Sequence, residues 1–165
     1  ARGLGDDALV DALATAGLIG AVVADRASLS GAEGGCQAET GAAAGMAAGA
    51  AVEMLGGTPR QALHAVALAQ QGTLGLVCDP LGGLVELPCV FRNATGAAIA
   101  LAAIEMALAG IEFAIPADEV IDTMGEIGRG MDVRYRETAG GGLAATPSGR
   151  RLARERLVQI KRADG

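Results

Sequence analysis

Aromatic side chains are nearly absent from this sequence. It has no tryptophan, and aromatic residues make up 2% of the chain, although 51% of its residues are hydrophobic. The core must therefore be built from alanine, leucine, valine, isoleucine and methionine. Small side chains allow helices to approach closely, whereas the strands of a sandwich or barrel favour β-branched and aromatic residues. With a length of 165 residues, the composition predicts a single compact all-α domain over residues 1–165.

The sequence also lacks an initiating methionine, and its first residues, ARGLGDDALV, lack the charged and then apolar pattern of a signal peptide. We therefore expect a truncated piece of a longer chain. A long run free of polar residues is missing too, because the longest uncharged run, 61–78, contains three glutamines and a histidine. These absences predict a cytoplasmic protein that does not span a membrane.

Positive charge is scarce in most of the chain and concentrated at its end. Residues 1–149 hold 7 basic and 17 acidic residues, whereas residues 150–165 hold 6 basic and 2 acidic ones. The acidic body argues against a nucleic-acid partner. The basic tail, RRLARERLVQIKRADG, is predicted to be a last helix that is either solvated or docked on an acidic neighbour.

Apolar residues recur at helical spacing through most of the chain. The clearest start signal is TPRQ, in which Thr58 is the N-cap, Pro59 the first helical residue and Gln61 the capping-box partner. The Ala/Gly-rich segment 37–55 has almost no polar face, which is typical of a buried helix. The pattern predicts about six helices, at 6–27, 37–55, 59–71, 94–110, 116–129 and in the tail from 150, with an irregular segment at 72–92.

Only three cysteines are present, Cys36, Cys78 and Cys89, and an odd number argues against a disulfide framework. The absence of C-x-x-C excludes zinc-ribbon and ferredoxin patterns. A structural zinc site normally closes with four ligands, and only His64, on a separate predicted helix, is available as the fourth. The cysteines are either small buried hydrophobes or, since glycine and proline flank them, ligands in loops that surround a metal group.

A cubane iron-sulfur cluster on three thiolates leaves one iron without a protein ligand. Such an iron is an open Lewis acid, able to polarise an oxygen that leaves as hydroxide or water. A three-cysteine site therefore favours a lyase over an electron-transfer protein.

Three stretches resemble a known family: GAEGGCQAETGAAAGMAAGAAVEMLGGTP, GLVCDPLGGLVELPCVFRNATGA and YRETAGGGLAATPSGR. Over roughly residues 12–152 they are similar to the α chain of the bacterial iron-sulfur-dependent L-serine dehydratases. The resemblance implies an all-helical catalytic domain with a [4Fe-4S] cluster on Cys36, Cys78 and Cys89. It also implies the conversion of L-serine into pyruvate and ammonia through 2-aminoacrylate.

The resemblance also implies partners. In some single-chain members a cysteine shortly after the G-G-L-A motif caps the fourth iron, whereas this sequence reads GGLAATPSGR and continues without a fourth cysteine. It is therefore similar to the two-subunit branch, in which L-serine is the substrate and a separate β chain the partner. A homo-oligomer is the other expected assembly. Family α chains begin upstream of Ala1, in agreement with a truncated chain.

Two carboxylates are candidates for the base that removes the Cα proton. Glu39 and Glu86 each lie three residues from a cysteine. The alternative is that these carboxylates accept backbone N–H groups beside the cluster. His64, in the middle of the helix that Thr58 caps, is predicted to be structural.

Arg92 and Asn93 follow Cys89 by three and four positions and are candidates for binding the substrate carboxylate, because arginine offers a fork of donors. The alternative for Arg92 is an ion pair beside a helix. The glycines at 140–142 either allow close backbone approach to the ligand or turn the chain. Pyridoxal phosphate is not expected, because the one lysine, Lys161 in the tail, is a poor Schiff-base candidate.

Two other functions stay open from the sequence. The first is an L-cysteine desulfidase, in which sulfide leaves in place of hydroxide. The second is a non-catalytic cluster-binding subunit that works only with a β chain and the upstream residues. Release of sulfide would identify the first, and activity that appears when a β chain is added would make the second a serine dehydratase subunit.

Overall fold

The computed structural model describes residues 5–163, with side chains through residue 160. Within this part the chain is a single all-α domain, as predicted, and its helices are α1 (Asp6–Arg26), α2 (Gly31–Gly34), α3 (Ala42–Met54), α4 (Pro59–Gln71), α5 (Cys89–Leu108), α6 (Ala117–Gly130) and α7 (Pro147–Ala163). A π-helical turn, Gln37–Gly41, leads into α3, and 3₁₀ turns lie at Leu81–Gly83, Val133–Tyr135 and Gly142–Ala145. The end of the predicted tail and the side chain of Lys161 lie outside the described residues.

The six predicted helices are confirmed, with two differences beside the cysteines. The short helix α2 lies between the predicted helices 6–27 and 37–55, where no helix was predicted. The helix expected from residue 94 begins at Cys89, so this cysteine lies in the first turn of α5 and not in an irregular segment. Pro88 stands just before that turn, where its missing N–H removes no intrahelical hydrogen bond. Its presence therefore marks a helix start.

Helix α3 lies at the centre of the fold and packs against α1, α4 and α5. Its buried positions are occupied by small or β-branched residues: Ala42, Ala44, Gly45, Ala48, Gly49 and Val52. A Cβ at Gly49 would lie 2.5 Å from Ile19 Cδ1 of α1 and 3.1 Å from Val66 Cγ2 of α4. The three helices thus approach closely because one of them lacks side chains at the contact, and the prediction of a buried α3 is confirmed.

Helix α4 begins with the predicted capping box. The Gln61 N–H donates to the Thr58 hydroxyl at 3.2 Å, and the Thr58 N–H donates to Gln61 Oε1 at 2.9 Å. One turn later, His64 Nδ1 accepts the Phe113 N–H at 3.2 Å. This bond ties α4 to the connection between α5 and α6, a structural role like the one predicted for His64.

Two helices, α1 and α5, are long and apolar enough to cross a membrane by length and composition. The lengths of the uncharged runs in the sequence did not indicate this. That test is weak evidence, because the core helices of soluble proteins also pass it. Both helices contribute to the core but are largely exposed: 22% of the apolar stretch of α1 and 28% of that of α5 is buried.

Candidate metal centre

Two of the three cysteines meet in the interior of the fold. Cys36 lies between α2 and the π-helical turn, Cys78 lies in the irregular segment after α4, and each is 1% exposed. Their sulfur atoms and a carboxylate oxygen of Glu39 all lie within 4.8 Å of one another. The distance from Cys78 Sγ to Glu39 Oε2 is 4.0 Å. All three cysteines are free thiols.

The position of Cys36 depends on the glycine before it. Gly35 has a φ of 76°, a left-handed conformation that glycine adopts without strain. A Cβ there would lie 2.7 Å from the Leu76 carbonyl oxygen. The absence of a side chain therefore allows the backbone before Cys36 to contact the backbone that leads to Cys78.

A buried glutamine also stabilises the contact between the backbone around Cys36 and the segment that leads to Cys78. Gln37 is fully buried, and its N–H donates to the Leu76 carbonyl at 3.0 Å. Its side chain accepts the Gly75 N–H at 2.8 Å and donates to the Met124 carbonyl of α6 at 3.0 Å. Gln37 thus holds the segment before Cys78 against α6. This role was not predicted from the sequence, where the only signal was the polar residue beside Cys36 in an apolar helix.

The backbone of Cys78 pairs with a distant segment. Its N–H donates to the Tyr135 carbonyl at 2.8 Å, and its own carbonyl accepts the Glu137 N–H at 2.8 Å. This is the isolated parallel bridge between Cys78 and Arg136. The bridge brings the YRET motif to the cysteines.

Cys89, the first residue of α5, is 8% exposed and lies outside the group formed by Cys36, Glu39 and Cys78. Cys36 and Glu39 nevertheless lie close enough to Cys89 to affect the pKa of its thiol. Burial raises the pKa of Cys89, the nearby Cys36 and Glu39 raise it further, and Arg92 lowers it. Since residues three and four apart share a helix face, Arg92 lies on the same side of α5 as Cys89.

Arg92 contacts the loop that carries Cys78. Its Nη1 donates to Asp79 Oδ1 at 2.6 Å and to the Val77 carbonyl at 2.8 Å, and it lies 3.7 Å from Cys36 Sγ. Burial acts to lower the pKa of Arg92, but the hydrogen bond and charge of Asp79 and the nearby Cys36 leave it raised. The ion pair that was the alternative role for Arg92 is therefore present in the structure.

Asp79 is almost fully buried, at 2% exposure, and its second oxygen accepts the Leu143 N–H at 2.6 Å. This bond brings the glycine-rich loop at 140–142 to the site. Gly142 has a φ of 56°, and a Cβ there would collide with the Asp79 carboxylate. The backbone at Gly142 thus closely approaches Asp79, whereas approach of these glycines to a ligand stays a prediction. Asp79 was not predicted to be a functional residue, although it stands beside Cys78 in the motif.

Anionic groups are concentrated around Cys78. Burial raises the pKa of its thiol, and Cys36, Glu39 and Glu137 raise it further. Glu39 is an exposed residue, but partial burial of its carboxyl raises its pKa, with a contribution from Glu137 that the Gly31 N–H opposes. The Cys78 thiol is therefore protonated at neutral pH in the metal-free chain, and a metal must displace its proton on binding.

The other predicted site residues lie elsewhere. Glu86 is on the surface, where its carboxylate pairs with Arg156 of α7 at 3.2 Å. Asn93 is exposed and lines a groove between the start of α3 and α5, together with Thr40 and Gly96. Of the two candidate bases, the geometry favours Glu39.

The donor set fits a thiophilic metal group. Thiolates select iron, zinc and copper over magnesium and calcium, and cysteine is the usual ligand of iron-sulfur clusters. A cation at this point would offset the mutual repulsion of Cys36, Cys78 and Glu39 once the thiols ionise. Cys36, Glu39 and Cys78 could therefore hold a metal.

The serine dehydratase alpha chain family matches residues 2–144. The "Probable L-serine dehydratase, alpha chain" of Bacillus subtilis (strain 168) is 61% identical over 143 residues, which are 87% of this chain and 48% of that protein. The "L-serine dehydratase, alpha chain" of Peptoniphilus asaccharolyticus is 52% identical over 86% of this chain and 48% of its own length. The "Probable L-serine dehydratase, alpha chain" of Latilactobacillus sakei is 54% identical over 87% of this chain and 68% of its own length. The chain spans about half the length of the first two relatives.

Proposed function

The chain belongs to the serine dehydratase alpha chain family, and on this basis we propose that it is the cluster-binding domain of an L-serine ammonia-lyase. The complete enzyme would convert L-serine into pyruvate and ammonia. The observation that carries this proposal is the convergence of Cys36, Cys78 and Glu39 within 4.8 Å, with Arg92 against the Cys36 sulfur.

In the proposed enzyme Cys36, Cys78 and Cys89 hold a [4Fe-4S] cluster, and no pyridoxal phosphate takes part. When bound, the cluster supplies a Lewis acid that assists the departure of the serine hydroxyl. Cys89 is the ligand that requires the most direct test, because it lies outside the group formed by the other two cysteines and Glu39.

Glu39 is the proposed acceptor of the Cα proton. Burial and Glu137 raise the pKa of its carboxyl, and a carboxylate with a raised pKa is a better base near neutral pH. Removal of the Cα proton together with loss of hydroxide gives 2-aminoacrylate. Its imine tautomer adds water to release pyruvate and ammonia without further help from the chain.

Arg92 and Asn93 are the proposed donors to the substrate carboxylate. Every side-chain hydrogen bond of Arg92 within the described residues uses Nη1. Its Nε and Nη2 groups are therefore the donors for the substrate. Asn93 follows Cys89 by four positions and would reach the substrate from the exposed groove beside α5 that it lines.

The proposed partners are a separate β chain and a second copy of the enzyme. The relatives' names support the first, because they describe an alpha chain. The proposal places the enzyme in the cytoplasm, where thiols stay reduced. The chain itself is proposed to be one domain of a protein about twice as long, with residues 150–165 as a basic tail.

The test is anaerobic reconstitution of this chain with iron and sulfide, followed by measurement of both per chain and of the absorption spectrum. The loaded protein is then assayed with L-serine and with L-cysteine, alone and with the β chain. Pyruvate and ammonia from serine support the proposal, and sulfide from cysteine without turnover of serine supports the desulfidase. A folded chain that retains no iron, alone or with its missing residues restored, contradicts it.

Three variants assign the residues. We expect Cys78→Ala and Cys89→Ala to lose the cluster, and a Cys89→Ala protein with full iron content would remove Cys89 from the ligand set. Glu39→Gln is expected to retain the cluster and lose at least about 100-fold in kcat, as for loss of a general base. Loss of iron from Glu39→Gln would instead make Glu39 a ligand. Glu86→Gln is the matched control and should leave both properties unchanged.

A further inference from the structure

Arg92 is a partly buried cation that is held by the Asp79 carboxylate and by the Val77 carbonyl. Its side chain is 17% exposed, and the Asp79 side chain that pairs with it is 2% exposed. The Nη1 to Oδ1 distance of 2.6 Å is the shortest of the three Arg92 contacts. A long arginine side chain that leaves α5 is thus held by a carboxylate on the cysteine loop.

The same carboxylate joins three parts of the chain that are distant in sequence. Asp79 is covalently next to Cys78, its Oδ1 accepts from Arg92 of α5, and its Oδ2 accepts from the Leu143 N–H. Gly142 gives this carboxylate the space that a Cβ would occupy. Because both oxygens are bonded, a shift of Asp79 would move the arginine and the glycine-rich loop together.

The Asp79–Arg92 pair also determines the charge beside the sulfur of Cys36. Arg92 Nη1 is 3.7 Å from that sulfur and 2.6 Å from the Asp79 carboxylate. The carboxylate offsets the positive charge that the sulfur experiences, and in a poorly solvated site this effect is strong. Neutralising either partner alone would leave the other as an unpaired buried charge.

We propose that Asp79 is a positioning residue that acts through Arg92: it holds the guanidinium against the Cys36 sulfur and balances its charge there. This inference is based on two contacts of Arg92, one with the Asp79 carboxylate and one with the Cys36 sulfur. It relies on the proposed function only for the loaded protein, since the pair itself exists in the metal-free chain.

The first test is a double-mutant cycle on the unfolding of the metal-free chain, with Asp79→Asn, Arg92→Gln and the double variant. Asparagine has nearly the same shape as aspartate and retains an acceptor for the Leu143 N–H. We expect each single variant to lower the denaturant midpoint and the double variant to recover at least half of the loss of Asp79→Asn. Additive losses would show that Asp79 acts on the fold independently of Arg92 and would overturn the proposal.

The second test is the reduction potential of the reconstituted cluster. Asp79→Asn leaves the charge of Arg92 unbalanced and should shift the potential to more positive values, whereas Arg92→Gln should shift it to more negative values. The double variant should lie close to the wild type. A purely structural role predicts no such opposite shifts, so shifts of the same sign, or none, would overturn the proposal.

The exposed Asp122–Arg26 pair provides the matched control. It is an aspartate–arginine contact on the surface between α1 and α6, and Asp122→Asn, Arg26→Gln and their combination should leave the potential unchanged. If the wild type binds no cluster, the proposed function fails, and the unfolding cycle still decides the role of Asp79. If Asp79→Asn does not fold, a folded double variant supports the proposal and an unfolded one overturns it.

Discussion

The helical core and the cysteine region both depend on glycine, but the atoms that surround the glycines differ. In the core, Cβ atoms added at Gly20 and Gly49 would meet the side-chain ends of Met46 and Ile19. In the cysteine region, a Cβ at Gly35 would meet the carbonyl oxygen of Leu76 in addition to the side-chain end of Met131. A side-chain end can change rotamer, whereas a backbone carbonyl moves only with its segment. Gly20 and Gly49 of the core should therefore tolerate small additions that Gly35 of the cysteine region does not.

The largest effect is expected at Gly35. Gly35→Ala places a Cβ on a residue with φ of 76° and 2.7 Å from the Leu76 carbonyl. Left-handed strain and crowding together should lower the free energy of unfolding by about 3 kcal/mol, measured by denaturant unfolding of the metal-free chain. Iron loading should fall as well, because Cys36 is the next residue.

Gly17→Ala is the control for this substitution. Gly17 lies in α1, and nothing lies within 4 Å of the Cβ that would be added. Alanine there should raise the free energy of unfolding by up to about 1 kcal/mol, because glycine is the poorer helix former. If Gly35→Ala were as stable as Gly17→Ala, the proposed difference in how the two regions tolerate an added methyl group would be contradicted.

A smaller effect is expected at Gly49. Alanine improves helix propensity by about 1 kcal/mol but crowds Ile19 Cδ1 at 2.5 Å, so Gly49→Ala should stay within about 1 kcal/mol of the wild type. Ile19→Val removes the crowded methyl group. The double variant should therefore be more stable than the sum of the two single effects predicts. Strict additivity would mean that the core does not adjust at this contact.

The difference between the regions also explains what could be predicted from the sequence. The capping box at Thr58 and Gln61 is a contact between neighbours in the chain, and the sequence shows it directly. The bond between Asp79 and Leu143 spans 64 positions, and that between Gln37 and Met124 spans 87. No local pattern encodes such pairs. The sequence therefore predicted the helices and singled out the cysteines, but not the polar residues that hold the cysteine loops.

Pro88 shows how a correct local signal led to a wrong boundary. A proline beside a cysteine in a glycine-rich stretch suggests an irregular loop, yet proline just before a helix is equally compatible with its geometry. The structure places Cys89 in the first turn of α5. Only the packing of α5 against α3 and α4 distinguishes the two interpretations.

The smallest expected difference between the two regions concerns stability at high pH. It is absent at neutral pH and appears only when cysteine thiols begin to ionise. Burial raises the pKa of Cys78 and of Cys89 in the folded chain, whereas an unfolded cysteine ionises near ~8.5. Below that value both states are protonated, and the thiols cause no pH dependence. Above it the unfolded state releases protons that the folded state retains, so the metal-free chain should lose stability as the pH rises through ~9 and beyond.

Only the cysteine region should cause this loss of stability at alkaline pH. Cys78→Ala removes the thiol whose folded pKa is raised by burial and by Cys36, Glu39 and Glu137, so the dependence of its unfolding free energy on pH above ~8.5 should be flatter than in the wild type. Gly49→Ala changes the core and should retain the wild-type slope. Equal slopes in wild type and Cys78→Ala, measured under reducing conditions with a chelator present, would mean that the buried thiols ionise as easily in the folded chain as in the unfolded one. Cluster binding would then have to overcome only the deprotonation cost of ordinary thiols.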